Sequence, residues 1–385
     1  MNDAPTIMIT AADHSGDAHA AGLIEALRRR LPQARFVGMG GAQMAAAGCE
    51  LLADVTRRSS MLGSSFRQVF YFLRLIRRLA RAMDECCPAV HVPVDSPAAN
   101  WHLARAARRR GVPVVYYIAP QVWAWAPWRV RKLRRLTDAV ACILPFEPDY
   151  LRPRGVNAHY VGHPLFDGLP EADPPDLASA ARTGRWRIAL VPGSRVAEIA
   201  AHAPALVTVM DRLQSLHPQA EFTFTALSEE AAGMIRHAAG RAELPTQVGN
   251  TAGVLARAHF AVVASGTVTL EVAYFGVPMV VFYRVNRWAY RLVGSWLLRT
   301  RYLSLVNILA GRELVPELMP WYGDPELLVR RAQEVLTDLD GLERTRRALL
   351  ELTAPLRPAG AGAADNAADL VLATMRRARR DATAL

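Results

Sequence analysis

Short apolar runs rich in β-branched residues alternate with longer stretches of helical periodicity along the chain. The first half reads as strands over Ile7–Ala11, Phe36–Met39, Ala89–Val94, Val114–Ile118 and Ala139–Leu144, with helices between them, among them Ala20–Arg29 and Val69–Met83. Apolar strands separated by helices predict an α/β fold with parallel sheets. Pro93 conflicts with the buried strand it sits in, because proline cannot donate to the ladder. A second series follows at Arg187–Val191, Phe222–Thr225, Phe260–Ala264 and Val277–Tyr283. Between the two series, residues 164–184 hold Pro170, Pro174 and Pro175 among acidic and small residues, as a linker does. The pattern therefore predicts two facing Rossmann-like domains with a cleft between them, residues 1–165 and 166–355. Residues 356–385 follow as a helical tail, Ala-rich from Ala363, behind a short flexible piece at Pro358–Gly362. Ligands of such sheets sit at the carboxyl ends of strands.

Bulk properties narrow this little. Of 385 residues, 51% are hydrophobic and 21% charged, which excludes a disordered chain. The net charge of +11 suits nucleic acid, anionic lipid or a phosphorylated substrate, and Lys132 is the only lysine. Arginine bias of this kind is equally the mark of a high-GC genome. Cys49, Cys86, Cys87 and Cys142 form no C-x-x-C pair, which points to a reducing compartment. The first residues lead directly into a strand with no leader pattern, and no run of about 18 apolar residues occurs. Any membrane contact is expected to be peripheral.

Five segments can carry chemistry. Asp13-His14-Ser15-Gly16-Asp17 follows a strand and opens a helix, either as an ordinary capped turn or as a site for an anion or sugar hydroxyl. Asp95, in Val94-Asp95-Ser96-Pro97, stands at a strand's carboxyl end, where a carboxylate can accept a proton or simply cap the next helix. Gly193, Ser194 and Arg195 form a glycine turn before a helix, with a guanidinium beside free N–H groups, a pairing suited to pyrophosphate. Ser265-Gly266-Thr267 repeats the strand–turn–helix pattern, with Glu271 one helical turn in. There a carboxylate can hold ribose hydroxyls, or Gly266 can serve close packing alone. Asn307 and Glu313 flank an apolar turn ending at Gly311. Trp123 and Trp125 run into Arg129, Arg131, Lys132, Arg134 and Arg135; these line a cleft or, less in keeping with the rest, bind single-stranded nucleic acid. Asp338-Leu339-Asp340 mimics a metal motif but lies on a polar helix, so no catalytic metal is expected.

Read in order, these blocks resemble the lipid-A-disaccharide synthase family over nearly the whole chain. The resemblance also rests on Phe36-Val37-Gly38, Leu144-Pro145-Phe146-Glu147, Val161-Gly162-His163, Pro278-Met279-Val280 and Asn307 to Val315. It implies a GT-B fold and a metal-independent, cofactor-free, inverting glycosyltransferase at the inner face of the cytoplasmic membrane. The implied reaction takes 2,3-diacylglucosamine from UDP to 2,3-diacylglucosamine 1-phosphate, forming a β-1,6 link. A homodimer and an anionic membrane surface are implied as partners, and nucleic acid is not. On this reading Asp95 is the base, with Asp13 and Asp17 as rivals. Gly193 to Val196 and Ser265 to Thr267 hold the diphosphate, and Glu271 or Glu313 holds ribose. The alternatives are another GT-B UDP-sugar transferase or a UDP-sugar epimerase. The chain departs from the family at Ala12-Asp13, at Ala98-Ala99 and at Met61 to Arg67, all in the first domain, so donor use is better marked than acceptor identity.

A diacylated substrate directs attention to Ser59–Arg81, where apolar residues at helical spacing are interleaved with arginines. Phe70 to Leu79 fit a core-facing helix as well as a membrane face. Met61, Leu62 and Phe66, broken up by Gly63, Ser64 and Ser65, read as an exposed apolar loop.

Overall fold

A computed structural model describes residues 4–54, 66–124, 126–285, 301–357 and 360–383, without the side chains of 66–72 and 382–383. The chain divides into two compact units, Met1–Asp167 with Arg357–Leu385, and Gly168–Leu356.

In the first unit β1 (Thr6–Thr10) runs parallel between β2 (Arg35–Gly40) and β4 (Val90–Pro93), and β3 (Glu50–Asp54) lies outside β2. β5 (Val115–Tyr117), β6 (Ala139–Cys142) and β7 (Ala158–Tyr160) form a second parallel run. Only two bridges, His91 to Val114 and Val94 to Tyr117, join β4 to β5. Pro93 explains the weak seam. On the β5 side His91 N donates to Pro113 O at 2.9 Å and Asp95 N to Tyr117 O at 3.0 Å. The residue between them on that side is the proline, which has no N–H to give. The whole order is β3-β2-β1-β4-β5-β6-β7, with its reversal between β1 and β4.

Alternation along β1 builds two cores. Ile7 and Ile9 pack with the helix His14–Arg30 and with the C-terminal helix Ala363–Thr383. Met8 packs with the helices Phe66–Cys86, Pro97–Arg109 and Val130–Leu136. The tail is thus part of the first unit. Ala367, Ala368, Val371 and Met375 are buried in its core. Arg29 and Arg30 pair with Asp365 at 2.8 and 2.6 Å, and Asp167 caps Ala363 N at 2.9 Å. On the helix Phe66–Cys86, Leu75, Leu79 and Met83 face the core while Arg74, Arg77, Arg78 and Arg81 are exposed. The core-facing reading therefore holds for Leu75 and Leu79. Met61 and Leu62 lie outside the described residues, as do Trp125 and the side chain of Phe66.

The second unit is one parallel sheet, β10-β9-β8-β11-β12-β13, made of β8 (Arg187–Val191), β9 (Glu221–Ala226), β10 (Thr246–Val248), β11 (Phe260–Ala264), β12 (Met279–Arg284) and β13 (Glu317–Trp321). Its order reverses between β8 and β11. Both units thus have the doubly wound topology in which the crevice at the reversal takes ligands.

Candidate active site

Each reversal point carries segments singled out above. In the first unit β1 ends at Thr10, and Asp13 caps the helix His14–Arg30 by accepting from Gly16 N at 2.7 Å. Its other carboxylate oxygen accepts from the Ser96 hydroxyl. β4 ends in Asp95 and Ser96, both left-handed, with φ of 48° and 35°. Neither is glycine, so this turn is strained and must be held from outside. The Asp95 carbonyl accepts from the Tyr116 hydroxyl at 2.8 Å and from Asn100 Nδ2 at 2.9 Å. Asn100 is fully buried; it also donates to Val94 O and accepts from the Thr10 hydroxyl at 2.8 Å. His91 meets that same hydroxyl at 3.0 Å, and burial drives its pKa down to about 3, so it is a neutral partner. One amide therefore ties the ends of β1 and β4 to the turn that presents Asp95. Ser15 is exposed, 3.3 Å from His19 Nε2.

Asp17 has a different role from the catalytic one considered for it. It is 1% exposed and accepts from Gly41 N at 2.7 Å, Gln43 N at 3.0 Å and Met44 N at 3.2 Å. A carboxylate so buried and engaged anchors the loop after β2. Trp123 donates to Glu147 at 3.0 Å and meets the Phe146 ring edge-on. Glu147 also accepts from Ile143 N and Leu144 N; its burial pushes the carboxyl pKa up, and these three donors oppose that shift. Glu147 thus pins the aromatic loop to the end of β6.

In the second unit β8 leads into Gly193, whose φ of 106° allows the tight turn. Ser194 and Arg195 are exposed and the helix Val196–Leu216 begins at once. The expected cradle of N–H groups is partly occupied already. Glu198 accepts from Ser194 N at 3.1 Å and Arg195 N at 3.2 Å, and pairs with Arg195 Nη1 at 2.6 Å. One turn further, His202 lies under the same segment. Burial keeps it neutral, so Nδ1–H donates to Pro192 O at 2.8 Å and Nε2 accepts from Arg284 N at 3.2 Å.

Across the reversal, β11 leads into Ser265, Gly266 and Thr267. Ser265 N donates to Phe282 O, Gly266 and Thr267 are exposed, and the helix Val268–Tyr274 follows. Two of the first N–H groups of that helix are already engaged: Thr269 N donates to Gly266 O at 3.1 Å and Leu270 N to Thr267 O at 3.0 Å. Glu271 on its first turn is largely buried, and desolvation raises its pKa from the ordinary 4.5 to about 7.

Asn307 is not an open binding group. Fully buried, it accepts from Leu314 N and Val315 N at 2.8 and 3.0 Å and donates to Val315 O and Glu317 at 2.9 and 3.0 Å. Glu317 also holds Leu303 N and Ser304, so the pair clamps the segment before β13. Glu313 is exposed. Glu198, His202 and Glu317 were missed by reading the sequence, and Glu147 was named there only within a family block, without its bracing role. Glu198 stands three residues after its N-cap, as in a capping box, but that N-cap is arginine and not serine or threonine.

Among the described residues no three His, Cys, Asp or Glu side chains gather as a metal site, and no helix is long and apolar enough to cross a membrane. Asp338 caps the helix Leu339–Thr353 through Gly341 N.

With this geometry in hand, comparison with known proteins is decisive. The model of the family described as lipid-A-disaccharide synthetase matches residues 7–358. The lipid-A-disaccharide synthase of Myxococcus xanthus (strain DK1622) is 38% identical over 385 residues, 97% of this chain and 98% of that protein. Among solved structures, UDP-GlcNAc 2-epimerase from Neisseria meningitidis bound to UDP-GlcNAc aligns with a TM-score of 0.58 at 10% identity, over 97% of this chain and 100% of its own. Acinetobacter baumannii MurG aligns at 0.52 and 15% identity, over 97% and 99%. These structures share the GT-B type of α/β fold and no more. The family model and the relative extend over most of the sequence, and on them this chain belongs to the lipid-A-disaccharide synthase family.

Proposed function

We propose that the chain transfers 2,3-diacylglucosamine from UDP to the 6-hydroxyl of 2,3-diacylglucosamine 1-phosphate, with inversion, at an anionic membrane surface. Family membership gives the class, a UDP-sugar glycosyltransferase of lipid A biosynthesis. The observation that carries the residue assignments is that the family's motifs fall at both reversal points. In the step proposed, the acceptor O6 bonds to the anomeric carbon as the bond from that carbon to the β-phosphate oxygen breaks. The hydroxyl proton passes to Asp95, and UDP leaves with the electron pair. The turn that holds Asp95 is fixed by Asn100 and Tyr116, which suits a base that must meet one hydroxyl. Arg195 balances the charge on the leaving diphosphate beside the helix start after Ser265, and Glu271 holds ribose.

Support for a membrane surface comes from three adjacent helices of the first unit. Arg74, Arg77, Arg78 and Arg81, then Arg105 and Arg109, then Arg131, Lys132, Arg134 and Arg135 are exposed on them, and Trp128 beside the last is 57% exposed. Such a layer attracts anionic lipid by about 1 kcal/mol per nearby arginine.

The test incubates the purified chain with both lipid substrates and follows UDP and disaccharide. Equal release of the two supports the proposal. Conversion of the UDP-sugar alone would favour an epimerase, and salt-sensitive binding to nucleic acid without UDP binding would refute an enzyme of this kind.

A further inference from the structure

The turn Pro192 to Arg195 is closed over a single acid. Glu198 is 8% exposed, and a Cβ on Gly193 would stand 2.8 Å from its Oε2. Oε2 takes the N–H groups of Ser194 and Arg195; Oε1 takes Arg195 Nη1 at 2.6 Å and the Tyr283 hydroxyl at 3.4 Å. The Arg195 side chain, by contrast, is 79% exposed. Two consequences follow. The backbone donors of Ser194 and Arg195 already have an anion, so the guanidinium is what this turn offers a diphosphate. And an exposed arginine, which would otherwise sample many rotamers, is held by the Glu198 carboxylate at Nη1.

We propose that Glu198 is a positioning residue for the donor: it aims Arg195 so that the exposed edge of the guanidinium meets the diphosphate of the UDP-sugar. This rests on the donor-site reading given above. Preorganisation raises affinity because the ordering is done before the ligand arrives. His202, on the same helix face one turn on, fixes the turn from Pro192 O and completes a rigid seat. A helix cap alone would need the two backbone bonds and not the ion pair.

Glu198→Gln separates these roles, since its amide keeps one carbonyl to cap the turn while its NH2 group opposes the guanidinium. Calorimetric titration with UDP is run on wild type, Arg195→Ala, Glu198→Gln and the double variant, with melting curves for each. Glu198→Gln is expected to weaken UDP binding about tenfold with its melting temperature nearly unchanged, and the double variant to bind no more weakly than Arg195→Ala. Unchanged affinity in Glu198→Gln makes the residue a cap only. Tighter binding makes it a competitor of the diphosphate, and additive losses make it act through the fold of the turn; each of these overturns the proposal. If Arg195→Ala itself binds UDP like wild type, the donor-site reading falls instead. Should Glu198→Gln fail to fold, Glu198→Asp takes its place, with a carboxylate near the backbone but drawn back from Nη1, and the same outcomes apply.

Discussion

Replacing Glu271 by glutamine should make the protein more stable and its donor site worse. The carboxyl is desolvated, and its pKa is raised from 4.5 to about 7. A raised pKa in the folded state means that the protonated form is favoured there. The associated stability is fully present below about pH 4.5 and is lost as pH rises through 7. Each pH unit across that interval is worth ~1.4 kcal/mol, so at pH 8 the ionised carboxylate costs at most about 3.5 kcal/mol, and ~1–2 after allowance for its partial exposure. Glutamine has the same shape and no charge. At pH 8 it should raise the melting temperature of the second unit by roughly 2–6 °C, and at pH 5 by almost nothing. Meanwhile UDP should bind about tenfold more weakly, because an ionised carboxylate accepts from both ribose hydroxyls and an amide from one. Wild-type affinity should also rise between pH 6 and 8 more steeply than that of the variant; the nucleotide's own phosphate titrates equally in both and cancels. Calorimetry with UDP and melting curves at the two pH values read all of this. A variant less stable than wild type at pH 8, or one with unchanged UDP affinity, would refute the reasoning.

Asp95→Asn should lower turnover by about a hundredfold to ten-thousandfold while UDP affinity holds, and retention of more than a tenth of the rate moves the base elsewhere. Asp17→Asn should cost about 2–3 kcal/mol in urea unfolding, since an amide oxygen replaces the charge facing three N–H groups; activity per folded molecule should be near normal, and a rate loss without a stability loss would restore Asp17 as a chemical group. Sedimentation with anionic vesicles at low salt should fall in Leu62→Asp with Phe66→Asp, and in Arg131→Glu with Arg135→Glu. Binding unaffected by either pair, with the fold intact, places the membrane contact on another surface.

Much of the fold was legible because strands buried on both faces are continuous apolar runs, as in Phe260 to Ala264. The strands that escaped are short, polar or at a sheet edge: β3 reads Glu-Leu-Leu-Ala-Asp on the outside of β2, β10 reads Thr-Gln-Val, β7 spans three residues, and β13 contains Pro320. A glycine turn at Gly193 marked the second unit's reversal point for a local reason, the need for a tight strand-to-helix connection, whereas the turn after β4 is made by Asp95 and Ser96. The acids that brace the loops were not legible in that role. Glu198, Glu147 and Glu317 act on backbone N–H groups, and nothing in their neighbours' side chains announces it. Asn307 illustrates the converse. Its setting suggested a ligand contact, whereas its donors and acceptors are all satisfied within the segment it closes.

The return of the last helix to the first unit bears on the order of synthesis. A ribosome releases residues 4–167 first, yet the core around Ile7, Leu23 and Leu27 stays open until Ala367, Ala368, Val371 and Met375 arrive at the very end. The second unit, one unbroken segment from Gly168 to Leu356, can close before its predecessor does. The nascent first unit therefore waits with an apolar face uncovered while about half the chain is still being made. A premature stop after Leu356 would leave the second unit whole and strand the other, so damage in the C-terminal helix would surface as aggregation of the part made earliest.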